Sequence, residues 1–253
     1  MKSALLLAAG KATRLQSIRD QYAKACVPIA DTTPLKFMLQ QLALAGVQEV
    51  WINLHWKAEQ VREQALQAAA DGMEIRFIEE THLLGTGGTL LECYRRRGLL
   101  PDLVVNAKVF CDVNFDILLQ HAPGTLVLHP GSALSEFGGL HFDPQMNITG
   151  LMPKSIAKPA TNAAVYTGIA RPAAEWLPYL QQAHKDLSLP EGEQSPAPIL
   201  CMLRHGMLPA LADGIACRAW LHPGYWHEIS TPERVKLAVR LRREGYDSHH
   251  VER

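Results

Sequence analysis

The sequence predicts an α/β fold: a doubly wound, mostly parallel sheet with antiparallel additions in its second half. Three observations predict it. The first half alternates short, continuously apolar runs with longer helical stretches, the rhythm of parallel strands joined by crossover helices. Two glycine-rich turns follow separate apolar runs in that half, placing ligands at strand C-terminal ends. From residue 125 the apolar runs become short and are separated by Pro and Gly, as in antiparallel strands.

The first apolar run ends in Ala8-Ala9-Gly10, within the stretch LLLAAGKATRLQSIRDQYAKACVP from Leu5 to Pro28. Small residues let main-chain N–H groups approach an anion closely, and Arg14 and Lys24 supply the charge that main chain lacks. A phosphate cradle is therefore expected here. Leu35 to Ala45 carries apolar residues at helical spacing, and Gly46 stops it. Val50 to Leu54 reads as a buried strand, Lys57 to Ala70 as a helix, and Ile75 to Ile78 as a third strand. The second glycine-rich turn, Leu84-Gly85-Thr86-Gly87-Gly88-Thr89, is expected to precede a helix over Leu90 to Arg97. Leu103 to Asn106 makes a fourth strand, and Asp112 to Leu119 a short helical piece.

In the second half, Thr125 to His129, Gly139 to Phe142, Ile148 to Met152 and Val165 to Ala170 are strand-like. A helix is expected over Pro172 to Ala183, a mobile loop over Ser188 to Pro198, and an apolar helix over Ile199 to Asp213. Ile215 to Leu221 is a last strand. Thr231 as N-cap, Pro232 at N1 and Glu233 in the first turn open a terminal helix to Arg243.

A chain of 253 residues suits one large α/β domain rather than two small ones. Hydrophobic residues at 47% and charged residues at 20% describe a globular protein, and no apolar run has the length of a membrane span. Basic and acidic residues balance at 25 each, so no global field favours nucleic acid or an anionic membrane. The short N-terminal apolar segment runs straight into the Gly10 turn, which reads as strand one and a cytoplasmic protein rather than a signal peptide. Five widely spaced cysteines without a C-x-x-C pair read as reduced core residues, and the histidines lack metal-ligand spacing.

The motifs exclude two common nucleotide folds. No G-x-G-x-x-G follows the first strand, and Asn53 and His55 stand after strand two where a dinucleotide enzyme needs an acidic residue. The kinase-type G-x-x-x-x-G-K-[ST] is absent too. What the chain does contain is LLLAAGKATRL, AK, VP, LLGTGGTL, VVN, KP, YTGI and W-x-x-ISTPERV in that order. This pattern resembles the sugar-1-phosphate nucleotidyltransferase family through nearly the whole chain.

The resemblance implies a Rossmann-like sheet of the nucleotidyltransferase type in a single domain over 1–253, with a nucleotide-binding half over about residues 1–120 and a sugar-phosphate half over about 121–253. It also implies transfer of a nucleoside monophosphate from a nucleoside triphosphate to a sugar 1-phosphate, with release of pyrophosphate. By resemblance Leu7, Ala8, Ala9, Gly10 and Lys11 lie under the nucleotide. Arg14 meets the triphosphate, and Lys24 bridges the reacting phosphates. Gly85, Thr86, Gly87 and Gly88 pack against the base, and Asn106 ends the strand beside it. Lys158 meets the sugar phosphate, and Gly168 belongs to the sugar pocket. The family's cofactor is Mg²⁺, held by two aspartates. Here the first of those positions is Lys108 and the second is Glu228, and the family's second loop glycine is Ala12.

A lysine does not ligate a hard cation. If the fold brings Lys108 and Glu228 together, they are expected to pair directly, the ammonium taking roughly the place of Mg²⁺; the alternative is a Lys108 that points to solvent, with metal held by Asp112 or by substrate phosphates. Two readings remain open on this sequence. One is a nucleotidyltransferase with Arg14, Lys24 and Lys108 in catalytic roles and Glu228 as residual metal ligand. The other is a catalytically degenerate homologue that binds nucleotide or sugar phosphate as a regulatory or scaffold protein. Self-association is open in both.

Overall fold

The computed structural model describes residues 1–131, 134–154, 162–187 and 198–245. Among these the strands are β1 (Ser3–Leu7), β2 (Glu49–Leu54), β3 (Glu74–Glu79), β4 (Leu103–Asn106), β5 (Val109–Cys111), β6 (Thr125–His129), β7 (Gly139–Phe142), β8 (Ile148–Met152), β9 (Ala163–Ala170), β10 (Arg218–Leu221) and β11 (Trp226–Glu228). The residues fall into two compact units. The first holds Met1–Thr81, Val105–Leu118 and Gly224–Arg253; the second holds His82–Val104 and Leu119–Pro223.

In the first unit β1, β2 and β3 run parallel, with Leu5 opposite Trp51 and Trp51 opposite Arg76. All six residues of β2 are buried, the polar Glu49 and Asn53 among them, as in a strand covered on both faces. Two helices make the crossovers. Pro34–Leu44 starts at Thr33, whose hydroxyl accepts from Lys36 N at 3.2 Å, and ends before Gly46 at φ +73°. It buries Leu35, Met38, Leu39 and Leu42, and Phe37 meets the Phe110 ring at a centroid distance of 5.0 Å. Ala58–Ala68 is the second crossover. The terminal helix Pro232–Arg243 is capped by Thr231 as expected, its hydroxyl accepting from Arg234 N at 3.4 Å.

The sequence pattern did not anticipate β5 and β11. They pair antiparallel, with Trp226 opposite Cys111, His227 opposite Phe110 and Glu228 opposite Val109. The helical piece expected from Asp112 accordingly begins only at Phe115.

In the second unit β6 pairs parallel with β10 and antiparallel with β9, and β7 pairs antiparallel with β8 and β9. Parallel strands in the first half and antiparallel additions in the second are thus the observed α/β class. The glycine-rich turn is not a loop before a helix. It is the first turn of the helix Gly85–Arg97 itself. The helix expected from Pro172 starts later, a 3₁₀ turn at Ala174–Trp176 leading into Leu177–Leu187. The apolar stretch after Ile199 forms a π-helical segment, Met202–Met207, followed by Leu208–Ala212. The expected loop over 188–198 lies outside the described residues except for Pro198.

All five cysteines are free, and burial pushes the Cys26 and Cys111 thiols up to about 12, as inert core residues require. No helix among the described residues is long and apolar enough to cross a membrane.

Candidate active site

β1 delivers the chain to Ala8 and Ala9, and there a side chain takes over from the sheet. Asn53, at the end of β2, accepts hydrogen bonds through Oδ1 from Ala8 N at 2.6 Å and Ala9 N at 3.2 Å. Its Nδ2 donates to Glu80 Oε1 at 2.8 Å, and Glu80 O lies 2.8 Å from His55 Nδ1. The first two N–H groups of the expected cradle are therefore held internally. Those of Gly10, Lys11 and Ala12 have no acceptor among the described residues. A Cβ on Gly10 would meet nothing within 4 Å, so open space lies above it. Ala12 sits at φ +56°, the left-handed conformation that favours glycine, which gives a backbone reason for the glycine of the resembled motif.

Arg14 follows on a 3₁₀ turn, Thr13–Leu15, anchored by the fully buried Leu15. Lys24 opens a second such turn, Lys24–Cys26, tied down where Ala23 N donates to Gln60 Oε1 at 2.6 Å. Lys108 stands in the turn that leads into β5, and Glu228 ends β11. Ile229 N donates to Lys108 O at 3.0 Å, and Glu228 stands opposite Val109, so backbone register brings the two side chains together. Arg234 Nε donates to Glu228 O at 2.6 Å and fixes that strand end from the terminal helix.

The result is one carboxylate among three cations. Lys108 Nζ donates to Glu228 Oε1 at 2.9 Å, and Arg14 Nη2 lies 3.8 Å from the same oxygen. The Glu228 side chain is 7% exposed and that of Lys108 29%. Burial pushes the Glu228 carboxyl up, but Lys108, Lys24 and Arg14 more than offset this and hold it below the usual carboxylate range. Burial first, then the charges of Lys108 and Arg14, lower the Lys24 ammonium to about 8, with Glu228 opposing. The expected pairing of Lys108 with Glu228 is thus the observed geometry.

A divalent cation does not fit this donor set. The one buried carboxylate is already bonded to an ammonium, and two further cations surround it. Among the described residues no cluster of three His, Cys, Asp or Glu side chains is placed to hold a metal ion.

The remaining sequence-predicted residues are placed as follows. Leu7 O accepts from Ala107 N at 3.0 Å, and Asn106 O from Lys108 N at 2.9 Å, which sets the entry into β5. Gly85, Thr86, Gly87 and Gly88 lie in the second unit, packed on Leu200–Met202. Gly87 N donates to Leu200 O at 2.8 Å, and Thr86 Oγ1 accepts from Met202 N at 2.9 Å. A Cβ on Gly85 would run into Leu200 O, and one on Gly87 would stand 2.8 Å from Leu180 Cδ2. Internal packing therefore accounts for these glycines. Gly168, at φ +85°, occupies the irregular stretch of β9 opposite Val127, where Thr167 Oγ1 donates to Val127 O at 2.8 Å. Lys158 lies outside the described residues.

Sequence reasoning missed a cavity of about 460 Å³ in the second unit, lined among others by Gly138, Gly139, Lys154, Tyr166, Cys201 and Arg204. Burial pushes the Tyr166 phenol up. The signal was present in the Phe137-Gly138-Gly139 run and in the tyrosine of YTGI.

Comparison with known proteins fits this architecture. Mannose-1-phosphate guanylyltransferase catalytic subunit beta of Drosophila pseudoobscura pseudoobscura is 28% identical over 241 residues, covering 91% of this chain and 59% of the relative. N-acetylmuramate alpha-1-phosphate uridylyltransferase of Neisseria meningitidis is 26% identical, with 94% and 97% covered. The chain thus spans about three fifths of the length of the first relative and nearly all of the second. Among solved structures, UDP-glucose pyrophosphorylase from Acinetobacter baumanii superposes with a TM-score of 0.77 at 13% identity, covering 100% of this chain and 96% of that one. CTP:phosphocholine cytidylyltransferase from Streptococcus pneumoniae does so at 0.72 and 15%, covering 95% and 99%. These likenesses concern the fold. The nucleotidyl transferase family model matches residues 3–169, well over half of the sequence, and the chain belongs to that family.

Proposed function

We propose that the protein transfers a nucleoside monophosphate from a nucleoside triphosphate to a sugar 1-phosphate, forming a nucleotide sugar and pyrophosphate in the cytoplasm. The observation that carries this reading is the convergence of Arg14, Lys24 and Lys108 on Glu228. The unclaimed N–H groups of Gly10, Lys11 and Ala12 supply further anion donors. In the reaction an oxygen of the sugar 1-phosphate forms a bond to the α-phosphorus. The bond from that phosphorus to the bridging oxygen breaks, and its electron pair leaves on pyrophosphate. The protein's part is to align the two phosphates and to neutralise charge on the departing group. Lys24 and Arg14 fit those roles, and the Gly10 loop fits the cradle.

The relatives named above act, by their names, on mannose 1-phosphate and N-acetylmuramate 1-phosphate, which supports a sugar 1-phosphate as acceptor. The second-unit cavity of about 460 Å³ has room for a hexose phosphate, and its Lys154 and Arg204 suit an anionic one.

The test is pyrophosphate release from the five common nucleoside triphosphates against a panel of sugar 1-phosphates. One productive pair is expected, with slow turnover. Because Glu228 is closed by Lys108, the second reading is a protein that binds these ligands without transfer. Binding without pyrophosphate release for any pair would establish that reading instead.

A further inference from the structure

We propose that this site binds its nucleoside triphosphate without a divalent cation, the Lys108 ammonium standing between Glu228 and the phosphates; the proposal rests on the nucleotidyltransferase reading above. The argument starts from donors. An ammonium has three N–H groups, and among the described residues Lys108 gives one to Glu228. Its side chain remains 29% exposed, so the other two donors are open to a ligand. Among the described residues Lys24 Nζ has no acceptor, and Arg14, whose side chain is 57% exposed, makes only its 3.8 Å approach to Glu228. With the N–H groups of Gly10, Lys11 and Ala12, the site presents unclaimed donors of one kind only.

Charge points the same way. Three cations face one carboxylate, and each of the three lowers the Glu228 carboxyl. A divalent cation approaching that carboxylate would have to separate it from Lys108 while Lys24 and Arg14 repelled the newcomer. A free triphosphate, more negative than its magnesium complex, is the better electrostatic partner. Lys108 would then contact protein carboxylate on one side and phosphate oxygen on the other, neutralising both at once.

Isothermal titration of the full chain with ATP, CTP, GTP, UTP and dTTP, each in EDTA and in Mg²⁺, tests the proposal. At least one nucleotide is expected to bind in EDTA as tightly as in Mg²⁺ or more tightly. Binding that is tenfold or more tighter in Mg²⁺ would overturn the proposal and leave the nucleotidyltransferase reading standing. No binding of any nucleotide under either condition would remove both. Lys108→Ala is expected to weaken binding in EDTA by about tenfold or more, the usual effect of losing a charged hydrogen bond. Unchanged affinity in that variant would count against the proposal. Lys108→Asp is expected to bind nucleotide with a new dependence on Mg²⁺. The wild-type arms decide the question even if a variant fails to fold.

Discussion

Lys108 Nζ stands 2.9 Å from Glu228 Oε1, and the antiparallel register of β5 and β11 sets that distance. The pair is lopsided: the carboxylate is almost wholly buried, the ammonium only partly, and two more cations crowd the acid. Glu228 therefore balances a cluster, and Lys108 is only its nearest partner.

Glu228→Gln should accordingly cost more than Lys108→Ala. The first leaves three cations without their carboxylate, and a loss of about 1–3 kcal/mol is expected, below the range for fully buried pairs because Lys108 is partly solvated. Lys108→Ala leaves Glu228 with Lys24 and Arg14. Urea unfolding at pH 7 checks the order. Inorganic pyrophosphate should raise the melting temperature of Glu228→Gln more than that of wild type, since the added anion replaces the missing charge. Equal stabilisation of the two proteins would contradict the cluster description.

Three positions separate glycines that packing needs from glycines a ligand needs. Gly85→Ala puts a Cβ against Leu200 O at φ +74° and should destabilise by about 2 kcal/mol or more. Gly10→Ala meets no protein atom and should change stability by less than about 0.5 kcal/mol, while nucleotide affinity drops. Ala12→Gly relieves a left-handed alanine and should stabilise by about 1 kcal/mol. Thermal unfolding of the three variants with and without nucleotide reads all these outcomes. A Gly10→Ala protein that binds normally would remove the loop from the ligand site.

How much was legible in the sequence follows from these same residues. β2 is a short, mostly apolar run buried on both faces, the helix Pro34–Leu44 carries apolar residues at helical spacing with Gly46 beyond its end, and both were readable. The two three-residue strands β5 and β11 are too short for any period to show, and they pair across more than a hundred residues. The Lys108 and Glu228 juxtaposition was anticipated by resemblance alone, never by spacing. Glycine propensity argues against a helix starting at Gly85, yet close packing on Leu200 makes glycine necessary there, so tertiary contact overrides the local preference. Asn53 was noticed only as a residue unsuited to hold a ribose. Its grip on Ala8 and Ala9 needed the parallel register of β1 and β2 to become visible.

That grip makes Asn53→Asp informative. Aspartate keeps two acceptor oxygens for Ala8 N and Ala9 N but faces Glu80 Oε1, to which Asn53 Nδ2 now donates at 2.8 Å. Two buried carboxylates at this distance share one proton, which the folded pair keeps to higher pH than the unfolded chain does, so the variant is more stable at pH 5 than at pH 7.5. The loss at pH 7.5 should be about 2–4 kcal/mol. Adding Glu80→Gln restores a donor and should recover most of it. Melting curves across this pH range check the claim, and a flat profile for the single variant would refute it.

Lys24 ties stability and binding to pH with opposite signs. Its ammonium titrates at about 8 in the folded protein, against an ordinary 10.5, because burial and the neighbouring charges of Lys108 and Arg14 disfavour the proton while Glu228 favours it. Between those values the unfolded chain holds more protons than the folded one. The stability of the ligand-free protein therefore gains a favourable contribution as pH rises through this window. Affinity for a polyphosphate runs the other way, since the folded site loses a cation above about 8. Binding near that pH should draw a proton onto Lys24. Calorimetric titration with nucleotide in two buffers of different ionisation enthalpy at pH 8.5 should show proton uptake, and Lys24→Met should lose it. Binding without proton uptake in the wild-type protein would mean that Lys24 does not face the bound phosphates.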